Sequence, residues 1–252
     1  MKDVHPAGGS ALLEVKIDQK FFVTAAGGRL EVLRNVHFAL GRGEVAAFVG
    51  PSGCGKTTML RIVAGLDRDY RGHIDRPLST RIGMVFEEPR LLPWRSVEDN
   101  VRLVMQEVDE TRLSALFSVL ELTEHRTHYP DELSLGLARR VALARAFAID
   151  PDVLILDEPL ASLDKALAAH LRNELITLVD SRPLTTLLVT HDVSDAARLG
   201  DRIFILATHP MCIAAEIPIP IPRKARTKND IEAIQHEVAQ RMRRSPSTRD
   251  AS

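Results

Sequence analysis

Five short apolar runs punctuate the chain, at 45–49, 82–86, 153–156, 186–189 and 203–206. Each is rich in aliphatic or β-branched residues and too short to favour a helix. Apolar at nearly every position, they read as strands buried on both faces of a parallel sheet. Between them the period lengthens. Residues 57–64 read as a helix. Leu113, Leu116, Phe117 and Leu120 form one apolar stripe, and Leu137, Val141, Ala144 and Ala148 form another, with Ser134 placed to cap its start. Strands alternating with helices predict an α/β fold. The alternation lapses from about 96 to 149, where the pattern is helical throughout, and this predicts a helical lobe inserted into the α/β core. From His209 onward the character changes again. Pro218, Pro220 and Pro222 alternate with isoleucines, which bars this stretch from a central strand. Ile231, Ile234, Val238 and Met242 then mark a short amphipathic helix, and the polar residues 243–252 are expected to fray.

Composition adds bounds rather than identity. With 252 residues, 45% of them hydrophobic, the chain can bury the core of one large domain, or of a domain with a smaller lobe. Charged residues make up 27% and nearly cancel, to a formal net charge of -1, which speaks against a dedicated nucleic-acid binder. The two cysteines, Cys54 and Cys212, make a disulfide framework unexpected and fit a reducing compartment. Residues 1–10 lack the basic-then-apolar order of a secretory signal. No run approaches the roughly 20 apolar residues needed to span a bilayer. A soluble chain is expected, and if it works at a membrane, other chains must supply the spans.

The chemistry concentrates first at Gly50-Pro51-Ser52-Gly53-Cys54-Gly55-Lys56-Thr57, which fits the pattern G-x-x-x-x-G-K-[ST] between an expected strand and an expected helix. Glycines let the backbone curl so that its N–H groups point inward at phosphate oxygens. The helix that begins at Thr57 and Thr58 presents its positive end to the same anion. Lys56 reaches the β- and γ-phosphates, and the Thr57 hydroxyl is a Mg²⁺ ligand. Cys54, inside the loop, reads as a small neutral filler. The reading is an ATP site spanning residues 50–58.

A second feature is Asp157-Glu158 at the end of the apolar run 153–156. A carboxylate at the end of a buried parallel strand stands at the mouth of the crevice where ligands bind. Asp157 is expected to help hold Mg²⁺, and Glu158 to orient or deprotonate the attacking water. With the phosphate loop, both halves of a phosphoryl-transfer site are then accounted for.

Three further segments narrow the family. Leu133-Ser134-Leu135-Gly136-Leu137 resembles the signature of ABC-type ATPases, usually Leu-Ser-Gly-Gly-Gln. Ala161-Ser162-Leu163-Asp164 resembles their D-loop, and His191 their switch histidine. The order and spacing match from about residue 13 to 206. Met84-Val85-Phe86-Glu87-Glu88-Pro89-Arg90-Leu91-Leu92-Pro93-Trp94 looks like the Q-loop segment of the nitrate/sulfonate/taurine importer ATPases, and Glu216-Ile217-Pro218-Ile219-Pro220 is also similar to theirs. Phe21 stands where that family stacks an aromatic residue on adenine. Phe22 competes for the role, and a plain core phenylalanine is an alternative for either.

The resemblance implies an ABC ATPase fold over 11–207. That fold is a P-loop parallel-sheet core with N-terminal antiparallel strands and a helical subdomain at about 90–150. Residues 208–252 would form a C-terminal extension. It also implies two subunits paired head to tail around two ATP molecules. Ser134 and the Gly136 N–H, with Asp164 of the D-loop, would then join the nucleotide site across the dimer. His191 would bind the γ-phosphate and sense its loss. The implied partners are a second ATPase subunit, a membrane permease and, indirectly, a solute-binding protein. The implied place is the cytoplasmic face of a bacterial inner membrane. Trp94 lies in a segment that by resemblance lines the groove for a permease helix, against the alternative of a tryptophan packed within the lobe. A soluble ABC ATPase acting in translation or DNA repair usually carries two cassettes or a long coiled coil, and neither is present in this sequence.

Two departures qualify the resemblance. The Q-loop glutamine is Glu87, a carboxylate that can still approach Mg²⁺ but adds negative charge near the γ-phosphate. The first glycine of the signature is Leu135, whose side chain is expected to crowd the partner's nucleotide. Arg139, where many relatives carry glutamine, reads as a minor change. Together these leave a partly degenerate subunit with weak ATPase activity as the competing reading.

Overall fold

A computed structural model of the chain describes residues 11–25 and 27–244. The expectations for residues 1–10 and for fraying beyond 244 fall outside this range. In chain order the elements begin with β1 (Leu13–Val23), β2 (Arg29–Leu40), β3 (Val45–Val49), α1 (Lys56–Val63), β4 (Arg71–Asp75) and β5 (Ile82–Val85). Then come α2 (Val97–Arg102), α3 (Glu110–Val119), α4 (Leu135–Ala148), β6 (Val153–Asp157) and α5 (Lys165–Asp180). The chain closes with β7 (Thr185–Thr190), α6 (Val193–Leu199), β8 (Arg202–Ala207), β9 (Cys212–Pro218) and α7 (Lys228–Arg244). These elements form two compact units, one holding the residues up to Leu78 and from Thr185 onward, the other running from Ser79 to Leu184.

In the first unit β3 pairs in parallel with β7 on one side and β8 on the other. Every residue of β3 and β7 is buried, which is why both read as unbroken apolar runs. Phe48 of β3 stacks on Phe204 of β8 with ring centroids 4.8 Å apart, and Phe38 of β2 tilts against Phe48 at the same separation. A separate antiparallel sheet places β1 between β2 and β4. Strand β1 buries Leu13, Val15 and Ile17 on one face, and the charged Lys16 and Asp18 fall on the other, so its sequence shows no continuous apolar run. The 212–218 stretch is a strand that the sequence pattern did not predict. β9 runs antiparallel to β8 at the edge of its sheet and ends on Pro218, so the proline limits the strand without costing a central ladder bond. The C-terminal helix expected around Ile231 and Val238 is α7, with both residues buried.

In the second unit β5 and β6 are parallel. Strand β5 ends at Val85, one residue short of the expected run, and the Phe86 ring lies under the Arg90 guanidinium at 4.4 Å. The stretch between β5 and β6 is helical among its described elements, as the pattern predicts. Helix α4 is its axis, buried over most of its length. It lies so close to β5 that a Cβ on Gly83 would come within 2.5 Å of the Ala146 carbonyl oxygen. Side-chain caps start each main helix here: Ser96 accepts from the Asp99 N–H, Asp109 from Arg112 and Ser134 from Leu137.

An ion cluster ties α4 to α5. Arg140 forms ion pairs through Nη2 with Glu174 at 3.1 Å and through Nη1 with Glu121 at 2.9 Å. His170 lies 2.9 Å from the same Glu121 and 3.2 Å from Glu174. Burial pushes the Glu174 carboxyl above its ordinary range, and Arg140 and His170 pull it back. Glu121, His170 and Glu174 are close enough to share a cation, and the Arg140 guanidinium already occupies that role.

Candidate functional site

In the first unit the chain leaves β3 at Val49 and turns through residues 50–55 into α1. Gly53 and Gly55 take φ values of 74° and 121°, conformations that a side chain would strain. A Cβ on Gly55 would also press within 3.1 Å of both Leu33 and Val32 of β2. Gly50 has no room either, because its Cβ would meet Leu206 of β8 at 3.0 Å. Cys54 is buried with its Sγ 3.4 Å from that same point. Pro51, Ser52, Gly53 and Thr57 are exposed, and Thr58 lies behind them at intermediate burial.

Lys56 curls back over this turn. Lys56 is 6% exposed, and its ammonium donates to the carbonyl oxygens of Gly50 and Pro51, each at 2.9 Å. These two bonds hold the charge against the start of the loop. The first turn of α1 contains no acidic residue and its cap, Gly55, offers no side-chain acceptor, so the helix end keeps its full preference for an anion. A concave backbone of left-handed glycines, a buried ammonium and an unneutralised helix end together fit a polyphosphate.

The other candidates of this unit lie on neighbouring elements. The β1–β2 pairing shifts register between Lys20 and Phe21, which re-aims the side chains of the hairpin end. Phe21 carries the Arg29 guanidinium on its ring at 4.6 Å, and Phe22 is exposed with the Lys20 ammonium 4.9 Å from its centre. His191 is exposed directly after β7, and Asp192 beside it caps α6 by accepting from the Ser194 N–H at 2.6 Å.

In the second unit Asp157 is the last residue of β6, and Asp157 and Glu158 are both buried. Glu158 has φ 50°, an unusual backbone for a residue with a long side chain, and such strain gathers at functional positions. The turn continues through Ser162, φ 61°, to Asp164, which accepts from the N–H groups of Ala166 and Leu167 at 3.0 Å and so caps α5. Ser134 caps α4, and its oxygen is 3.3 Å from the Leu137 nitrogen. Gly136 packs against α5, and a Cβ there would displace the end of the Leu167 side chain, whose Cδ2 would lie at 2.5 Å. Leu135 between them projects outward and is 45% exposed.

Arg139 takes a place that its sequence reading as a minor change did not foresee. Its side chain is 4% exposed and donates from Nη1 to the carbonyl oxygens of Pro159 at 2.7 Å and Glu158 at 3.3 Å. Burial lowers its pKa, while the charges of Glu87 and Glu158 hold it up. A second arginine of α4 works the same way on the Q-loop side. Arg145 donates to the carbonyl oxygens of Arg90 and Pro89, both at 2.9 Å. Beyond them, buried Asn100 accepts from the Leu92 N–H and donates to the carbonyls of Leu92, Arg95 and Ser96. The segment is thereby wrapped around one side chain, and Trp94 at its crest is 70% exposed. Within the described unit, Trp94 is not a lobe-packing residue.

The ABC transporter family profile matches residues 33–161. Aliphatic sulfonates import ATP-binding protein SsuB 2 of Pseudomonas syringae pv. tomato is 38% identical over 217 residues, which cover 85% of this chain and 91% of that protein. Its namesake in Burkholderia lata is 39% identical over 230 residues, 87% of this chain and 82% of that one. Among solved structures, an ATP-binding cassette caught as a dimer in a post-hydrolysis state with ADP and Pi superposes with a TM-score of 0.72. It is 27% identical, and the match covers 82% of this chain and 98% of that one. No helix among the described residues is long and apolar enough to cross a membrane. With its phosphate loop, acidic strand end and capped signature helix set beside these likenesses, the chain belongs to the ABC transporter ATP-binding family and is an ATPase of that fold.

Proposed function

We propose that this chain is the ATP-hydrolysing subunit of an importer for aliphatic sulfonates or a related small anion. It would act on the cytoplasmic face of a bacterial inner membrane beside a separate permease that a solute-binding protein supplies. The observation that carries the reading is the phosphate loop, where Lys56 is held by Gly50 and Pro51 beneath glycines that only a close backbone approach requires. The names of the relatives carry it from ATP to sulfonate import. Residues 11–207 form the ATPase cassette in this reading, with a helical subdomain at about 90–150 and an extension at 208–252.

Each candidate then has a task. The N–H groups of residues 53–58 and the Lys56 ammonium bind the phosphates, and Phe21 stacks on the adenine. The Thr57 hydroxyl and the carboxylates of Asp157 and Glu87 carry the hard oxygen donors that would hold Mg²⁺ in this reading. When bound, Mg²⁺ supplies charge neutralisation on the β- and γ-phosphates. Glu158 orients the attacking water and takes its proton, a role worth about 10²–10⁴-fold in rate. His191 touches the γ-phosphate and loses that contact after cleavage. A second copy of the chain contributes Ser134, the Gly136 N–H and Asp164 from the other side. ATP binding closes the pair and hydrolysis reopens it, and the permease follows that motion.

Trp94 is the docking residue for the permease in this scheme. A large exposed aromatic on a loop held by Asn100 and Arg145 has the rigidity that interface anchors need. Trp94→Ala is expected to reduce the permease that co-purifies with the chain by about tenfold or more, the loss typical of an aromatic anchor. Permease retention equal to wild type would remove Trp94 from the interface.

A further inference from the structure

The basic stretch Arg223-Lys224-Ala225-Arg226 has the composition of a solvated linker, yet two of its arginines turn inward. The Arg226 side chain is 1% exposed. Its Nη1 donates to the carbonyl oxygens of Ala197 at 2.9 Å and Arg198 at 3.2 Å, and its Nε to that of Ile221 at 2.9 Å. Ala197 and Arg198 stand in the last turn of α6, where carbonyls lack a helical partner. The N–H that would answer Ala197 is that of Asp201, and it donates instead to the Val45 carbonyl at 2.7 Å. A guanidinium serves both orphan acceptors, and its charge suits the negative end of a helix. Arg226 Nη2 also lies 3.7 Å from Asp201 Oδ1, and Arg223 pairs with Oδ2 of the same carboxylate. That Oδ2 accepts from the Val45 N–H at 2.9 Å, and the Asp201 carbonyl accepts from the Ile219 N–H at 2.8 Å. Residues 219–226 thus grip the junction between α6 and β8, which is bonded to the first residue of β3.

The other end of α6 leads to His191. With seven residues, α6 is too short to hold its shape alone and depends on its ends and on the packing of Ala196, Ala197 and Leu199. Asp192 caps its start, and the Asp192 N–H donates to Thr190 Oγ1 at 2.9 Å. The backbone of His191 is therefore held between the end of β7 and the start of α6. We infer that Arg226 is a positioning residue for His191, because it closes the C-terminal end of the short helix whose N-terminal end fixes the histidine. Without the guanidinium, two buried helix carbonyls lose their donor, α6 opens from that end, and the Asp192 cap loosens with it. The residues that bind the phosphates lie on other elements, so the effect falls on turnover rather than on ATP binding. The extension at 208–252 thereby takes part in hydrolysis. The inference rests on the reading of His191 as the residue that touches the γ-phosphate.

The test is made on the full chain with Arg226→Gln, His191→Ala and the double variant. MgATP turnover is measured across ATP concentrations, and amide hydrogen exchange is measured on α6 and β3. Arg226→Gln is expected to lower kcat by about tenfold, with KM for ATP moving less than about threefold. It is also expected to speed exchange of the α6 amides by about tenfold while β3 keeps its rates. His191→Ala is expected to lower kcat by about 10²-fold. In that background Arg226→Gln is expected to change kcat by less than about twofold, since the residue it positions is gone. Arg226→Lys keeps the charge without the planar fork and is expected to fall between wild type and Arg226→Gln in both readouts. If Arg226→Gln does not fold, Arg226→Lys carries the same comparison with and without His191. An equal loss in both backgrounds overturns the inference, because Arg226 then supports the fold at large, and so does a wild-type kcat for Arg226→Gln. If His191→Ala turns over at the wild-type rate, the reading of His191 fails and the inference with it. If His191→Ala is slow and the two losses multiply, only the role of Arg226 fails.

Discussion

Glu158→Gln is expected to lower ATP hydrolysis by about 10²–10⁴-fold while ATP binding persists. Glutamine keeps the size and one hydrogen-bonding oxygen of the side chain but cannot take a proton. The exchange therefore removes the general base and little else. Glu158 is buried at the end of β6 in a left-handed turn that Arg139 braces, so the substituted side chain has few other places to go. A consequence beyond rate separates this account from a structural role. If hydrolysis is what reopens the pair of subunits, the variant loaded with MgATP collects as a dimer that the wild type does not accumulate. Phosphate release, retained nucleotide and particle mass measured on the same sample check all three points. Wild-type phosphate release would remove Glu158 from the chemistry, and loss of bound ATP would mean that the substitution disturbed binding instead.

Arg140→Met is expected to cost about 3 kcal/mol of folding stability, measured by denaturant unfolding at neutral pH. The side chain bridges Glu121 and Glu174, and Glu174 is 8% exposed, so removing the guanidinium leaves a buried carboxylate without its cation. Most of that cost comes from the stranded charge rather than from the lost attraction, so Arg140→Met combined with Glu174→Met is expected to recover most of the stability. The pH dependence follows from the sign of the Glu174 shift. Its folded pKa is raised above the ordinary value of 4.5, so the folded state binds that proton more tightly than the unfolded chain. This group's contribution therefore becomes more favourable as pH falls through the raised pKa toward 4.5, and the deficit of Arg140→Met shrinks over that interval. A deficit independent of pH would show that packing, not charge, sets the effect.

The parts of the fold legible in the sequence are those where burial leaves a one-dimensional trace. Strands β3, β6 and β7 are buried at every position, so their composition alone marks them. Strand β1 alternates buried with more exposed positions as far as Asp18 and carries lysines and aspartate, and the family resemblance, not its own pattern, pointed to N-terminal antiparallel strands. Strand β9 was hidden by its proline, a residue excluded from sheet centres but tolerated where this strand ends, at an edge. The phosphate loop was legible because its glycines and lysine must follow one another in order, and the structure supplies the reasons in φ angles and close approaches. Two residues needed the structure. Arg139 stands between Ala138 and Arg140 and looks like one basic residue among several, and nothing in that local pattern tells a solvated arginine from one buried against two carbonyls. Trp94 fits a core or an interface equally well as a residue type, and its exposure follows from how Asn100, six residues on, gathers the loop beneath it.

The central claim, that this ATPase powers sulfonate uptake, is tested most directly by transport in cells of its own organism. The measurement is uptake of a radiolabelled aliphatic sulfonate in a strain lacking this chain, complemented with the wild type or with Glu158→Gln at matched expression. The account predicts that deletion abolishes uptake, that the wild type restores it, and that Glu158→Gln does not although it still binds ATP. Undiminished uptake in the deletion strain, or full restoration by Glu158→Gln, would contradict it.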